Sequence, residues 1–101
     1  MQIEYSKEFI KNASKLTGKM RDSLARVIQE VRAADEVQQL TDCKRLKDFR
    51  SIYRIRIGDK RAFFQFHVKI SGNTVYFILI ANRGQAYSKE TIQKLKKLDL
   101  N

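Results

Sequence analysis

Arg54, Arg56, Arg61, Arg83 and Tyr87 are the side chains of this sequence whose types and spacing could act on a phosphodiester. A guanidinium stays protonated and presents a fork of N–H donors that matches phosphate oxygens. If the reaction is RNA cleavage, the 2′-hydroxyl attacks the adjacent phosphorus. Negative charge then gathers on the non-bridging oxygens, where fixed cations are most useful and no metal is required. A phenol such as that of Tyr87 could stack on a base, orient the hydroxyl or transfer a proton. Lys44, Arg45, Lys47 and Arg50 form a basic run upstream that suits contacts to an RNA backbone. The competing structural roles are a salt bridge from Arg61 to Asp59 or Asp48, an aromatic cover over the sheet edge for Tyr87, and a solvated charge run for residues 44–50. His67 is the single histidine. About six residues of extended strand, roughly 20 Å, separate it from Arg61, so it reads as structural. Cys43 has no evident base beside it and is weak ground for nucleophilic catalysis.

Strands are needed to hold the arginines in place. In residues 52–57, Tyr53, Ile55 and Ile57 alternate with Arg54 and Arg56, so a strand buries the first set and projects both arginines from the other face. Gly58-Asp59 sits at a two-residue hairpin spacing, although the usual order of the dipeptide is reversed. A second strand over residues 61–68 puts Ala62, Phe64, Phe66 and Val68 on one face and Arg61, Phe63, Gln65 and His67 on the other. After a turn at Ser71-Gly72-Asn73, residues 75–80 are apolar on both faces and read as a strand inside the sheet. Arg83 follows at the sheet end, and Ser88 caps a final helix with Ile92, Leu95 and Leu98 as its stripe.

The N-terminal half reads as packing material. Residues 2–5 alternate as a short strand, and Ser6 is an N-cap. Phe9, Ile10, Ala13 and Leu16 recur at helical spacing, and Thr17-Gly18 ends that helix and opens another with Met20, Leu24, Val27, Ile28 and Val31 on one face. The helical period fades through residues 35–42, and residues 43–48 read as a basic loop. The order is β-α-α-β-β-β-α, an α+β domain in which the helices pack on one face of a mostly antiparallel sheet and the arginines occupy the other.

The chain has 101 residues, 43% hydrophobic, with ten aromatics and a net charge of +10, which fits one domain over residues 1–101 and argues against disorder. Residues 1–43 carry seven Lys/Arg against seven Asp/Glu, whereas residues 44–69 carry nine basic residues against Asp48 and Asp59. A surplus this concentrated is the footprint of a polyanionic partner, nucleic acid or an acidic protein. One cysteine and one histidine leave too few soft ligands for a structural zinc site. No run approaches the roughly 20 apolar residues that span a bilayer and the N-terminus has no signal-peptide core, so no membrane role and a cytoplasmic location are expected.

The segment Tyr53-Arg54-Ile55-Arg56-Ile57-Gly58-Asp59-Lys60-Arg61-Ala62-Phe63-Phe64, with Asn82-Arg83 and Ala86-Tyr87-Ser88-Lys89 after an apolar strand, resembles the RelE/ParE superfamily of toxins from type II toxin–antitoxin systems. The resemblance covers nearly the whole chain. It implies a RelE-like toxin: a metal-independent, ribosome-dependent endonuclease that cuts translated mRNA without a cofactor. Its partners would be the 70S ribosome, mRNA and an acidic cognate antitoxin that inhibits it. Carried over by position, Arg61, Arg83 and Tyr87 are the catalytic set, and Arg54 and Arg56 bind RNA. RelE itself has lysines where Arg54 and Arg56 stand, and Asn82 occupies a site where a histidine is common, which leaves Tyr87 as the general-base candidate. A ParE-like inhibitor that binds DNA gyrase, or a family member that binds RNA without cutting it, are the alternatives.

Overall fold

The computed structural model describes residues 1–100. The chain runs β1 (Gln2–Tyr5), α1 (Lys7–Ser14), α2 (Gly18–Ala33), a 3₁₀ turn (Val37–Gln39), β2 (Cys43–Arg45), β3 (Ile52–Ile57), β4 (Lys60–His67), β5 (Thr74–Asn82) and α3 (Lys89–Asp99). One five-stranded sheet has the order β1-β5-β4-β3-β2, with β1 parallel to β5 and every other pair antiparallel. The α+β class, the helical hairpin and the cap at Ser6, whose hydroxyl accepts from the Phe9 N–H, are as the sequence indicates.

The segment read as a basic loop differs. Residues 43–45 form β2, pairing Lys44 with Arg54 and Arg45 with Tyr53. Three residues are too few to display a strand period, and only the pairing to β3 makes them one. The helices also divide. The α1–α2 hairpin covers one face of the sheet, where Phe9, Leu24 and Val31 pack on Ile55, Ile57, Ala62, Phe64, Val75 and Phe77. Helix α3 covers part of the opposite face, with Leu95 buried among Phe49, Ile52, Phe63, Ile78 and Leu79. The arginine face is therefore half roofed by a helix rather than bare. Ile10, expected in the core, is 55% exposed, and Val68 lies beyond the end of β4 and is 78% exposed.

Two local features set the register. Gly58 has φ 59° in the two-residue β3–β4 turn, the position at which a II′ turn takes glycine, so the reversed dipeptide follows from the turn type. In β5, Phe63 of β4 pairs with Leu79 and Phe64 with Phe77, leaving Ile78 as the extra residue of a bulge. Val75 and Phe77 face the hairpin, Ile78 and Leu79 both serve the α3 side, and Ile80 returns to the hairpin core. Helix α1 satisfies the backbone around the bulge. The Ser6 N–H donates to the Phe77 carbonyl, the Ser6 hydroxyl to the Ile78 carbonyl, and the Ile80 N–H to Asn12 Oδ1 at 3.0 Å.

Helix α3 is fastened by polar groups as well as by Leu95. The Asp99 carboxylate accepts from the Arg50 N–H (2.9 Å), the Ser51 N–H (2.8 Å) and the Ser51 hydroxyl (2.7 Å). Gln65 Nε2 donates to the Leu98 carbonyl at 2.9 Å, and Lys96 Nζ donates to the Asp48 carbonyl while lying 4.2 Å from the Phe49 ring centre. Burial alone would raise the Asp99 pKa. The Ser51 hydroxyl, the two backbone N–H groups and the nearby Arg50 guanidinium outweigh it and hold the carboxyl below its ordinary value. A lowered folded-state pKa gives stability that is complete above the ordinary aspartyl value of 3.8 and disappears as the pH falls through the lower folded value. Asp99→Ala should therefore cost about 2 to 4 kcal/mol in urea unfolding at pH 7, from loss of charged hydrogen bonds and stranding of their donors. It should also flatten the acid limb of the stability–pH curve that the unsubstituted protein shows below pH 4.

Candidate nucleic-acid interface

On the α3 side of the sheet, cross-strand register arranges the basic residues in rows. Arg56 of β3 lies directly opposite Arg61 of β4, which in turn is opposite Ala81 of β5. In the adjacent row Lys44 of β2 is opposite Arg54, Arg54 is opposite Phe63, and Phe63 is opposite Leu79. Helix α3 covers the Phe63 and Leu79 part of that row together with the next row, Ile52–Gln65–Tyr76. Four cations thus occupy the β2, β3 and β4 positions of two neighbouring rows, beside the part of the sheet that α3 covers. Extended strands alternate faces, so the three arginines share a side because their spacing within each strand is even and the Gly58–Asp59 turn sets the pairing.

No carboxylate is joined to any of these charges among the described residues, and Arg54 and Arg61 are held by carbonyl oxygens. Arg61 Nη1 donates to the carbonyls of Lys60 (2.9 Å) and Gly58 (3.2 Å), so the ion pair with Asp59 or Asp48 that the sequence allowed does not form. Arg54 Nη1 donates to the Asp42 carbonyl at 2.9 Å. The Arg56 side chain is exposed and makes no hydrogen bond among the described residues. Like charges directly opposite each other on adjoining strands destabilise a sheet. The pairing of Arg56 with Arg61 is a local cost, relieved when an anion bridges them.

Tyr87 and Arg83 come to this end through the segment after β5. The Arg83 N–H donates to the Asp59 carbonyl at 2.8 Å, tying the residue to the β3–β4 turn, one step beyond β5 and in strand phase with Ala81 and Arg61. The Asn82 carbonyl accepts from the Gln85 and Ala86 N–H groups, which turns the chain, and Ala86 is buried under α3. Tyr87 is 53% exposed and meets the buried Phe63 ring edge-on, with centroids 6.1 Å apart. It stands over the row that contains Arg54, with its hydroxyl making no hydrogen bond among the described residues. Strand alternation already puts Phe63 on the arginine face; that it is the platform under Tyr87 shows only in the fold.

The other basic residues separate from this patch. Arg45 pairs with Tyr53, in phase with the hairpin side, and its guanidinium bonds the Phe49 carbonyl. Lys47 and Arg50 are exposed in the loop at the opposite end of β3, where Arg50 lies beside Asp99. Of the upstream basic run, Lys44 alone joins Arg54, Arg56 and Arg61. His67 pairs with Thr74 at the far end of β4. Cys43 is half-buried, and desolvation pushes its thiol up to about 11 against the opposing field of Arg54, with Glu30 adding to the rise. It is un-ionised at neutral pH and unsuited to attack as a thiolate. The described residues hold no cluster of His, Cys, Asp or Glu suited to a metal ion. No helix among them is long and apolar enough to cross a membrane.

Comparison with known proteins places this geometry among related chains. Toxin RelE3 of Methanocaldococcus jannaschii is 25% identical over 88 residues, spanning 86% of this chain and 96% of that protein. The toxin–antitoxin complex RelB–RelE from Methanococcus jannaschii matches with a TM-score of 0.68 at 24% identity, over 83% of this chain and 94% of the solved one. A mutant of E. coli toxin RelE in the free state matches with a TM-score of 0.65 at 16% identity, over 96% and 95%. No protein-family model matches the chain.

The unpaired cations give a direct test. Arg56→Glu places a carboxylate opposite Arg61 and should raise stability by about 0.2 to 1 kcal/mol in urea unfolding. The same substitution should weaken binding of a short RNA oligonucleotide and lower the slope of log K against log salt by more than one unit, read by fluorescence anisotropy at several salt concentrations.

Proposed function

We propose that this chain, similar over most of its length to toxin RelE3, is a RelE/ParE-superfamily toxin of a toxin–antitoxin pair that cleaves translated mRNA on the ribosome and is held inactive by a cognate antitoxin. The observation that carries this reading is the set Arg54, Arg56 and Arg61, gathered without carboxylate partners beside an exposed tyrosine. A patch whose like charges are pressed together is poised for a phosphate. The support for an antitoxin is the solved relative from Methanococcus jannaschii, an antitoxin–toxin complex, together with a basic surface that suits an acidic protein.

The reaction follows from the inventory. The 2′-oxygen of one nucleotide attacks its own 3′-phosphorus, forming a P–O2′ bond while the P–O5′ bond breaks. The proton on the 2′-hydroxyl passes to a base, and the departing 5′-oxygen takes up a proton. The products are a 2′,3′-cyclic phosphate and a 5′-hydroxyl. Arg61 and Arg83 stabilise the charge that builds on the non-bridging oxygens. Arg54, Arg56 and Lys44 fix the flanking backbone, while Lys47 and Arg50, at the far end of β3, are a separate pair of surface cations for a second stretch of RNA. Arg45, whose guanidinium is engaged by Phe49, contributes through the loop it braces. Tyr87 is the base on this reading, and the leaving oxygen is protonated by an arginine or by water. With four arginines that cannot give up a proton at neutral pH, the rate owes more to positioning and charge than to acid–base exchange.

Primer extension on an mRNA translated in a reconstituted cytoplasmic system, with naked mRNA beside it, tests the proposal. Cuts within codons that require ribosomes are the expected result. Arg61→Ala and Tyr87→Phe should each slow cleavage about 100-fold or more while leaving the fold intact, since both side chains reach the surface. Intact mRNA at toxin concentrations that arrest growth would reject the nuclease and direct attention to gyrase supercoiling.

A further inference from the structure

The sheet has an unfinished edge. β1 is four residues long and pairs with residues 74–77 of β5, whereas β5 continues to Asn82. At Ser6 the chain leaves the sheet to enter α1, so residues 78–82 have no neighbouring strand on that side. Residues 79–82 form one wall of a groove of about 800 Å³ that lies between α1 and the start of α3.

The backbone groups that point into this groove can be assigned from the hydrogen-bond pattern. In antiparallel pairs, bonded and non-bonded rungs alternate. The Arg83 N–H bonds Asp59, so Ala81 with Arg61 is the next bonded rung, while Asn82 with Lys60 and Ile80 with Ala62 are non-bonded ones. The amide groups of Ile80 and Asn82 therefore face away from β4, toward the groove. The Ile80 N–H is occupied by Asn12 Oδ1, and the Asn82 carbonyl is occupied by the turn that follows. That leaves the Ile80 carbonyl as acceptor and the Asn82 N–H as donor. A residue of a parallel strand bonds such a pair with its own N–H and C=O, as Gln2 does with the Asn73 carbonyl on the same edge. An antiparallel strand would need the Ile80 N–H that Asn12 already holds.

The walls set the charge of the occupant. Lys15, Lys60, Lys89 and Lys94 line the groove against Glu8 and Glu90. Glu8 is spent on Lys94 at 3.3 Å, whereas Lys15 and Lys89 have no anionic partner among the described residues. We propose that this groove receives an acidic, extended segment of a protein partner, which adds to β5 as a short parallel strand in line with β1. Main-chain bonds to Ile80 and Asn82 supply the register, and the lysines select glutamate- or aspartate-bearing chains. The site lies on the β5 edge, apart from the arginine face. It gives the proposed antitoxin a place to attach and rests on that reading for the partner's identity alone.

The edge itself can be tested without knowing the partner. The probe is a capped hexapeptide of alternating glutamate and valine, titrated into the ¹⁵N-labelled full chain. The expected result is amide shifts at residues 78–82, Asn12 and Lys89, with hydrogen exchange of the Asn82 amide slowed tenfold or more at saturation. The double substitution Lys15→Glu with Lys89→Glu should weaken the peptide tenfold or more, and full N-methylation of the peptide should abolish protection of Asn82. Three outcomes overturn the inference: no binding up to millimolar peptide, shifts centred on Arg54, Arg56 and Arg61, or an RNA oligonucleotide that protects the Asn82 amide better than the peptide. Protection of Asn82 alongside a failed cleavage assay would keep the edge and remove the nuclease, and the reverse result would do the opposite.

Discussion

One extra residue in β5 governs how this small domain is divided between packing and chemistry. Side chains of a strand alternate strictly, so without the bulge at Ile78 everything after it would change sides. Leu79 and Ala81 would point into the helical hairpin, and Arg83 would lie in phase with Val75 and Phe77. With the bulge, the first half of β5 supplies Val75 and Phe77 to the hairpin core, the middle supplies Ile78 and Leu79 to the layer under α3, and Arg83 comes into phase with Arg61. A bulge normally strands backbone groups. Here Ser6 and Asn12 of α1 take them up, so the helix that covers the bulge also fixes it.

The sheet is asked to do opposite things on its two faces. Toward the hairpin it is a dry layer with Phe9, Phe64 and Phe77 in ring contact. Toward α3 it is apolar where the helix covers it and cationic where it is left open. Concentrating Lys44, Arg54, Arg56 and Arg61 there lowers stability through repulsion, a cost of the kind that sites, rather than scaffolds, carry. The fastening of α3 by Asp99, Gln65 and Lys96 sits at the opposite end, so the helix is held without intruding on the charged rows.

Much of this could be read from the residues. Alternation in residues 52–57 placed Arg54 and Arg56 on one face correctly, because polar and apolar types take turns there. Ser6 and Ser88 marked the starts of α1 and α3, since a hydroxyl before an amphipathic run has few other uses. The bulge was illegible for the converse reason. Residues 75–80 are apolar throughout, so a slip in phase leaves no trace in their types. β2 escaped because three residues carry no period, and with it went the pairing that lifts Lys44 into the arginine patch while turning Arg45 to the other side. The placement of α3 on the arginine face was also hidden, because its stripe of Ile92, Leu95 and Leu98 states that it packs and leaves open on which layer.

The parallel pairing of β1 with β5 also bears on when the candidate site is assembled. Gln2 and Thr74 are partners, so the first strand waits for more than seventy residues before it finds its place, and closing so long a loop is entropically slow. On a ribosome, residues 2–5 and the apolar face of α1 have no sheet to rest on until β5 has left the exit tunnel. Arg83 and Tyr87 emerge later still. The full candidate site, with Arg83 aligned by the bulge and the Tyr87 ring beside Phe63, is therefore assembled only after residue 87 has been made. Chain topology makes the assembled site wait on residues far downstream of the strand that opens the fold.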